Sequence, residues 1–272
     1  MYRPFISAFR MVTWSQRVNP ELIIVGAQKA GTTSLFNYLQ QHPQLVPSFK
    51  KEVHFFDSGL EEEVDTFTKG EAWYRANFPL VSRMDSNQKA FEASPYYLYH
   101  PMAAERIYNY APDIKLIALL RNPTDRAVSH YFHEVRRGAE TLPIMEAMEM
   151  EEERLRPIIK SEHYKSESLH TYSYKARGNY YDQLKVYLEY FDLRNILILE
   201  SESLFSETQN TLRKVYDFAD VDEDFVATDL KPMNVGINKV EVSVEVREYL
   251  DNYFKPKNME LYGLVGEDYG WG

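Results

Sequence analysis

A chain of 272 residues is long enough for one α/β domain with a substantial core, although it is at the upper end for a single domain. Its formal net charge of −10 argues against a nonspecific nucleic-acid binder, which needs a basic surface, but allows a local basic pocket for an anion. The sequence has no cysteine, which excludes disulfides, thiolate zinc sites and cysteine nucleophiles.

The first 19 residues form a basic N-terminal arm. They include Arg3, Arg10 and Arg17 and no acidic residue. Their apolar residues are interrupted too often for the core of a signal peptide or for a membrane-spanning helix. We therefore predict that residues 1–19 lie on the surface without stable membrane insertion, and that the protein is soluble and cytoplasmic.

The segment Glu21–Ser34 combines a predicted strand, a glycine loop and a predicted helix start. Leu22–Val25 is an apolar run of strand length, Gly26 ends it, and apolar residues at helical spacing follow Gly31. Such a loop binds phosphate-like anions, because glycines allow a close backbone approach and a helix start favours negative charge.

The spacing of this loop departs from that of nucleotide triphosphatases. Its glycines fit the pattern G-x-x-x-x-G-K-[ST], but Thr32 occupies the position of the lysine. The positively charged residue of this loop is instead Lys29, between the two glycines. The relocated lysine indicates an anion other than a triphosphate with Mg²⁺. An ordinary strand-to-helix turn with an exposed lysine is the alternative, which the density of glycines and hydroxyls disfavours.

A possible general base follows at Glu52. The charged run Lys50–Glu52 precedes the apolar pair Phe55–Phe56, so nearby cations would keep the glutamate ionised while partial burial would raise its basicity. A solvated run of surface charges is an equally weighted alternative. His54 is a rival base, because in an extended segment it would share a face with Glu52.

A second informative segment begins with the continuous apolar run Ile114–Leu120. This composition is expected of a central parallel strand that is covered on both faces. Arg121 follows directly, at the edge where open α/β sheets bind ligands, and Ser129 lies two turns along a helix predicted over Thr124–Arg137. A guanidinium and a hydroxyl suit a terminal phosphate, whereas a capping or salt-bridging arginine is the alternative.

The remaining elements follow from the same patterns. Strands are expected at Ala90–Ser94 and Asn195–Leu199, and helices at Thr66–Phe78, Pro101–Tyr110, Thr141–Lys160, Gly178–Phe191, Ser206–Phe218 and Val242–Phe254. The spacing of His130, His133 and Glu134 hints at a metal site, but no matching further ligand is evident, so we predict no metal.

Together these segments resemble the sulfotransferase family that uses 3′-phosphoadenylyl sulfate (PAPS) as donor. GAQKAGTTSL is similar to the family's 5′-phosphosulfate loop, and RNPTDRAVSHY to its 3′-phosphate site, R-[DN]-P-x-x-R-x-x-S. KEVHFFD resembles the acceptor-side segment of the heparan sulfate branch, whose glutamate is the catalytic base. The resemblance runs from about Pro20 to Trp271, and the pattern is most similar to bacterial members.

The resemblance implies a fold and roles for individual residues. The fold is a P-loop-like three-layer α/β domain with a central parallel sheet flanked by helices, in a single sulfotransferase domain over residues 20–272. Catalytic roles fall to Glu52 as the preferred base, to Lys29, and to His54 as the rival. The donor contacts are Lys29, Ala30, Gly31, Thr32, Thr33 and Ser34 at the 5′-phosphosulfate, Arg121 and Ser129 at the 3′-phosphate, and Tyr180, Lys231 and Asn234 elsewhere. Packing is the alternative role for Tyr180.

The implied reaction is in-line transfer of a sulfuryl group from PAPS to a hydroxyl or amine of a carbohydrate or other small metabolite. The product of the donor is adenosine 3′,5′-bisphosphate (PAP), and no metal ion is required. Two alternatives stay open. A P-loop kinase or NTPase is disfavoured by Thr32 and by the lack of a clear Mg²⁺ aspartate, and a noncatalytic nucleotide-binding protein would bind donor without sulfating any acceptor.

Three departures from the heparan sulfate branch concern the acceptor. Those enzymes carry a lysine in an E-K-[ST]-P motif, where this chain has Ala93. They also carry a K-G-R-x-H-P loop, replaced here by LKPMNVGINK, and often a disulfide near the C-terminus. Together with the net charge of −10, these differences argue against a glycosaminoglycan acceptor, because a polyanion favours a basic groove.

Overall fold

The computed structural model describes residues 3–233 and 242–271. Its strands are β1 (Leu22–Gly26), β2 (Leu45–Pro47), β3 (Lys89–Ala93), β4 (Lys115–Leu120) and β5 (Ile196–Glu200). Its α-helices are α1 (Arg3–Val12), α2 (Thr32–Leu39), α3 (Gly70–Arg75), α4 (Ala103–Tyr110), α5 (Pro123–Arg137), α6 (Ile144–Lys160), α7 (Glu167–Tyr172), α8 (Tyr180–Leu188), α9 (Ser201–Ser206), α10 (Thr208–Phe218) and α11 (Val244–Val265). Short 3₁₀ helices occur at Trp14–Gln16, Phe67–Lys69, Val81–Arg83, Ala176–Gly178 and Leu193–Asn195.

The five described strands form one parallel sheet in the order β2-β3-β1-β4-β5. Ile24 of β1 pairs with Ala93 of β3 on one side and with Ile117 of β4 on the other. All of β1 is buried, as is β4 after its first residue, because helices cover both faces of the sheet. The prediction of a P-loop-like α/β domain with a central parallel sheet is confirmed.

β1 supplies the centre of the apolar core. Leu22, Ile23, Ile24 and Val25 are each at most 1% exposed, and burying a side chain of this kind stabilises the fold by roughly 1.5–3 kcal/mol. At Gly26 the backbone passes so close to another chain segment that a Cβ atom would lie 2.5 Å from the Leu98 Cβ atom. The glycine that ends the predicted strand is therefore required by packing as well as by the loop.

Replacing Gly26 with alanine should destabilise the protein by about 1–3 kcal/mol, because the added methyl group overpacks the contact with Leu98. Urea denaturation would measure this loss. Gly263→Ala is the matched control, since among the described residues no heavy atom beyond the nearby backbone of α11 lies within 4 Å of the added Cβ atom. Inside a helix, that change should raise stability by up to about 1 kcal/mol. Equal unfolding midpoints for Gly26→Ala and the native protein would contradict the packing argument.

The residues between β4 and α5 set the position of Arg121. The Asn122 side chain accepts a hydrogen bond from the Asp125 N–H at 3.2 Å, and Pro123 is the first residue of α5. Gly138 ends α5 in the left-handed region, with φ 74°. These are common start and stop residues for helices, so the chain leaves the buried strand at Arg121 and immediately enters a capped helix.

Some predicted helices have different bounds in the structure. The prediction that the last helix ends at Phe254 is wrong, because α11 continues through Pro256 to Val265. Pro256 is exposed, so the carbonyl that loses its helical partner can be hydrated, while Leu261 beyond it is buried. The helix predicted over residues 66–78 is divided at Gly70, whose φ of 75° is not helical.

The predicted N-terminal arm contains α1, which exposes Phe5 and Phe9 to 75% and 57%. After α1, Arg17 attaches the chain to the domain, since its Nη1 atom donates a hydrogen bond to the Phe78 carbonyl oxygen at 2.7 Å. Within residues 3–233 and 242–271, none of the helices has the length and apolar character needed to cross a lipid bilayer.

Candidate functional site

The loop between β1 and α2 has the backbone geometry of an anion-binding loop. Lys29 has φ 72° and Gly31 has φ 95°, both in the left-handed region that a lysine rarely adopts. Gly31 is the residue before α2, and no side chain caps this helix start. The positive end of the helix dipole is therefore available to an anion. The Ser201 hydroxyl donates to the Ala30 carbonyl oxygen at 2.6 Å and fixes the loop from β5's side.

Arg121 contacts this loop directly. Its Nη1 atom donates a hydrogen bond to the Lys29 carbonyl oxygen at 3.2 Å. The two segments that the sequence assigns to opposite ends of one donor therefore lie side by side. Tyr180 is buried, and its hydroxyl donates to the Arg121 carbonyl oxygen at 2.9 Å. This contact agrees with a packing role for Tyr180, in which it holds the turn after β4.

Lys29 lies in a cluster of positive charge. Burial lowers the pKa of Lys29, and the charges of Arg136, Arg126 and Arg121 lower it further, with a partial offset from Glu134. Like charges repel unless an anion lies among them, most strongly where water is partly excluded. A basic pocket thus forms locally in a chain whose net charge is −10.

Ser34 is engaged by the chain itself. It is fully buried, and its Oγ atom accepts a hydrogen bond from the Met233 N–H at 2.8 Å. In this structure, the hydroxyl holds the main chain at Met233. The other predicted donor contacts differ in exposure: Ala30 and Thr32 are buried, Thr33 and Ser129 are half-buried, Lys231 is exposed, and Asn234 lies outside the described residues.

Glu52, His54 and Asp57 form a chain of contacts. The Nε2 atom of His54 lies 3.3 Å from Glu52 Oε2, and its Nδ1 atom lies 2.6 Å from Asp57 Oδ2. Lys51 donates to Glu52 Oε1 at 2.6 Å. An extended segment was predicted here, but the backbone is not extended, because Glu52 and His54 have φ 63° and 55°. The two side chains nevertheless meet, and 42% of the Glu52 side chain remains exposed.

The pKa values of this chain of contacts are strongly shifted. Burial alone would raise the pKa of Glu52, but the hydrogen bond from His54 and the charge of Lys51 lower it to about 2. Burial alone would lower the pKa of His54, but Asp57 and Glu52 raise it to about 9. Burial alone would raise the pKa of Asp57, but the charge and hydrogen bond of His54 lower it, together with His100 and the Gly59 N–H. At neutral pH the group is a carboxylate, an imidazolium and a second carboxylate.

The His54 ion pairs should make stability depend on pH. The folded pKa of about 9 lies above the ordinary value of 6.5, so the stabilisation is complete below pH 6.5 and is lost as the pH rises through 9. This stabilisation amounts to up to about 3 kcal/mol. The free energy of unfolding would be measured with urea for the native protein and for His54→Gln, at about pH 6 and at about pH 10. The difference between the two proteins should be smaller at about pH 10 by this amount.

The control for this measurement is His163→Gln, at a histidine whose side chain is 56% exposed. Its difference from the native protein should stay near zero at both pH values, because an exposed ion pair contributes little. A difference for His54→Gln that is independent of pH would contradict the assigned imidazolium.

The Glu52 group lies at the same sheet edge as the anion-binding loop. The Glu52 N–H donates to the carbonyl oxygen of Ala93, the last residue of β3, at 2.9 Å. Ala93 pairs with Ile24 of β1, two residues before Gly26. Neighbouring strands lie about 4.8 Å apart. Glu52 therefore stands beside the loop that carries Lys29.

Arg177 connects the loop to the side of the site that carries His54. It is buried, and its Nη1 atom donates to Gln28 Oε1 in the loop. Its Nη2 atom donates to the His170 carbonyl oxygen at 2.8 Å, and its guanidinium lies 4.6 Å from the centre of the Tyr96 ring. His54 and Asp57 both influence the pKa of His170, which burial lowers to about 3. Arg177 thus joins the two halves of the site.

Three residues of this site were not among those predicted from the sequence: Asp57, Arg136 and Arg177. A signal for Asp57 is its position three residues after His54 in KEVHFFD, and one for Arg136 is its helical spacing from Ser129 along α5. No comparable local signal exists for Arg177, because its contact with Gln28 spans 149 residues of sequence.

The metal-like spacing in α5 brings two neutral histidines near Glu134, because burial lowers the pKa of His130 well below its usual value and that of His133 to about 4. The Nε2 atoms of His130 and His133 lie 3.6 Å and 3.8 Å from Glu134 Oε1. Within the part of the chain that the structure describes, no group of three or more metal-ligating side chains is assembled. This cluster therefore gives no basis for assigning a metal.

Comparisons with known proteins identify the family of this chain. The sequence model of the sulfotransferase domain matches residues 19–231. The chain is 26% identical, over 93% of its length, to the membrane-associated sulfotransferase kil1 of Dictyostelium discoideum, and spans 66% of that protein. It is 28% identical, over 98% of its length, to human heparan sulfate glucosamine 3-O-sulfotransferase 3B1, and spans 68% of it.

A solved structure gives a closer match in length. The crystal structure of a sulfotransferase from Alicyclobacillus acidocaldarius has a TM-score of 0.76 and 32% sequence identity to this protein. The match covers 93% of this chain and 99% of that one. The chain therefore belongs to the sulfotransferase family.

Proposed function

We propose that this protein transfers a sulfuryl group from PAPS to an acceptor hydroxyl or amine. The observation that carries the proposal is the 3.2 Å hydrogen bond from Arg121 to the Lys29 carbonyl oxygen, which joins two anion-binding segments. Family membership supplies the reaction class. The choice of PAPS rests on the resemblance of both segments to the family's two phosphate sites.

In the proposed complex, the start of α2 and Lys29 hold the 5′-phosphosulfate, while Arg121 and Ser129 hold the 3′-phosphate. Arg136 adds positive charge near Lys29. Transfer of a sulfuryl group resembles loose phosphoryl transfer, so catalysis depends mainly on alignment and on charge stabilisation at the leaving oxygen. Cationic side chains serve this purpose in the proposal, and no metal ion takes part.

Glu52 is the proposed base. As the acceptor oxygen forms its bond to sulfur, its proton passes to the Glu52 carboxylate, and the bond from sulfur to the bridging oxygen breaks with its electron pair going to PAP. A pKa of about 2 keeps Glu52 ionised, although it makes this carboxylate a weaker base than an ordinary glutamate, contrary to the raised basicity expected from burial. His54 is less suited to this role, because at a pKa of about 9 it is already protonated and contacts a carboxylate through each nitrogen.

A carbohydrate hydroxyl is the proposed acceptor group. The human relative is named for 3-O-sulfation of a glucosamine in heparan sulfate. Ala93, where the resemblance would place a lysine, is fully buried and offers no charge to an anionic sugar. We therefore propose a less anionic carbohydrate or another small hydroxylated metabolite, with an amine as the second choice. A cytoplasmic location is also part of the proposal.

Glu52→Gln should reduce turnover by about 10²–10⁴-fold, because it removes the proton acceptor. Donor binding should be retained, since Glu52 lies on the acceptor side. Transfer from labelled PAPS and PAP binding would be measured in parallel. Glu61→Gln, at an exposed glutamate of the following loop, is the control and should be unaffected. Unchanged turnover in Glu52→Gln would assign the role of base to His54.

Lys29→Ala should weaken donor binding and slow transfer together, because Lys29 is proposed to bind charge in both the bound donor and the leaving group. PAP should raise the melting temperature of the native protein and have a smaller effect on this variant. Lys214→Ala, on the exposed side of α10, should behave like the native protein. Failure of PAP to stabilise the native protein would count against the donor site.

The acceptor can be sought by incubating the protein with labelled PAPS and a panel of sugars, lipids, phenols and carrier-bound hydroxyls. Transfer to a sugar would support the whole proposal. Binding of PAP without transfer to any acceptor would instead support a noncatalytic nucleotide-binding protein. Magnesium-dependent ATP hydrolysis would support an NTPase or kinase, against the observation that Thr32 occupies the lysine position.

A further inference from the structure

We propose that Glu92 is a positioning residue for sulfuryl transfer: it orients two hydroxyl groups that hold the backbone carrying Glu52 and His54. This inference rests on the proposed role of Glu52 as base. Glu92 lies in β3 and is fully buried. A buried carboxylate is costly unless hydrogen bonds satisfy its oxygens, so its partners indicate what it does.

Three hydroxyl groups donate hydrogen bonds to the Glu92 carboxylate. Tyr74 and Tyr97 donate to Oε1 at 2.7 Å and 3.2 Å, and Ser94 donates to Oε2 at 2.8 Å. A hydroxyl has one proton and two lone pairs. When the Ser94 and Tyr97 protons point to Glu92, the lone pairs of both hydroxyl groups are directed elsewhere.

These lone pairs accept two successive backbone N–H groups of the base-carrying segment. The His54 N–H donates to Ser94 Oγ at 3.1 Å, and the Phe55 N–H donates to the Tyr97 hydroxyl at 2.8 Å. Both N–H groups are buried, so they need partners. Glu92 thus acts on the segment through one intervening hydroxyl at each of two adjacent residues.

The segment needs such anchors because its backbone is not regular. Glu52 and His54 both lie in the left-handed region, with φ 63° and 55°. Non-glycine residues adopt this conformation at a cost in free energy and keep it only where the surroundings impose it. The hydroxyl anchors to His54 and Phe55 supply that constraint immediately after Glu52.

The protonation state of Glu92 controls the direction of these hydrogen bonds. The charged and titratable groups that influence it are Tyr74, Tyr97, Tyr110 and Asp57. Burial, with a smaller contribution from the Asp57 charge, raises the pKa of Glu92 to about 7 against the lowering effect of the three hydroxyl donors. A protonated Glu92 becomes a donor, so one hydroxyl must turn its proton away and the anchor is disturbed.

Activity should therefore fall as the pH drops through about 7, where Glu92 gains its proton. Glu52, with a pKa of about 2, and His54, with a pKa of about 9, keep their charges through this range. They do not produce a transition there. The acid limb of kcat is thus a readout that a merely structural carboxylate would not provide.

The test is Glu92→Gln, whose amide nitrogen cannot accept the hydrogen bond that one carboxylate oxygen accepts. We expect kcat to fall about 10- to 100-fold, consistent with misplacement of a catalytic group by a fraction of an ångström to an ångström. The KM for PAPS should stay within about twofold, and the acid limb near pH 7 should disappear. A native kcat with an unchanged acid limb would overturn the proposal.

Glu151→Gln is the matched control. Glu151 is also buried, it accepts the N–H groups of Lys175 and Ala176 at 2.5 Å and 2.7 Å, and burial raises its pKa to about 7. Its replacement removes a carboxylate that is nearly as buried as Glu92. Glu151 does not, however, hydrogen-bond to the segment that carries Glu52 and His54. This variant should retain the acid limb even if its stability falls. Loss of the limb in Glu151→Gln alone would assign the transition to Glu151 and overturn the proposal.

A second variant covers the case in which Glu92→Gln does not fold. Ser94→Ala removes the acceptor of the His54 N–H together with one of the three donors to Glu92, and it should lower kcat while PAP still raises the melting temperature. NMR titration of the His54 imidazole supplies a readout that needs no acceptor: its pKa should move from about 9 towards 6.5 in the variants, because the contact with Glu52 loosens. An unchanged His54 titration would overturn the proposal, whereas an altered titration in a protein that sulfates nothing would overturn only the proposed function.

Discussion

The parallel pairing of β1 with β3 and β4 is the constraint on which the site depends. Because all three strands point the same way, their carboxyl ends meet at one edge of the sheet. The Lys29 loop follows β1, Arg121 follows β4, and Glu52 is bonded to the end of β3. Residues far apart in sequence become neighbours without any long side chain having to reach across the domain.

Opposite charges are separated within this edge. The proposed donor side gathers Lys29 and arginines, and the proposed acceptor side carries two carboxylates around the His54 imidazolium. A net negative protein thereby forms a local positive pocket at the same sheet edge as an ionised carboxylate. The left-handed backbone at Lys29, Glu52 and His54 shows that both halves are held in conformations that the local sequence alone would not favour.

The sequence was informative where function depends on local spacing. Arg121 directly follows β4, and Lys29 lies in the loop that follows β1. The positions of these two buried strands were therefore enough to predict that both residues lie at the carboxyl edge of the sheet. The meeting of Glu52 and His54 was anticipated from an extended segment, although the structure achieves it with two left-handed residues. The role of Glu92 had no such signal, because it depends on hydroxyl contacts between β3 and a neighbouring irregular segment.

Long-range contacts limit sequence reasoning in the same way elsewhere. Arg177 reaches Gln28 across 149 residues, and no periodic pattern reports a contact of that kind. The extension of α11 beyond Pro256 was missed because local propensity disfavours proline in a helix, whereas burial of Leu261 stabilises the continuation. Tertiary packing decided both cases.

The hydrogen bond between Ser34 and Met233 has a consequence for how a ligand meets this residue. The family resemblance assigns the Ser34 hydroxyl to the donor, and its oxygen accepts a backbone N–H at 2.8 Å. A hydroxyl oxygen can accept while its proton donates, so Ser34 can hold Met233 and still donate a hydrogen bond to a phosphate. The main chain at Met233 therefore does not compete with a nucleotide for this residue, and instead limits the directions in which the Ser34 proton can point.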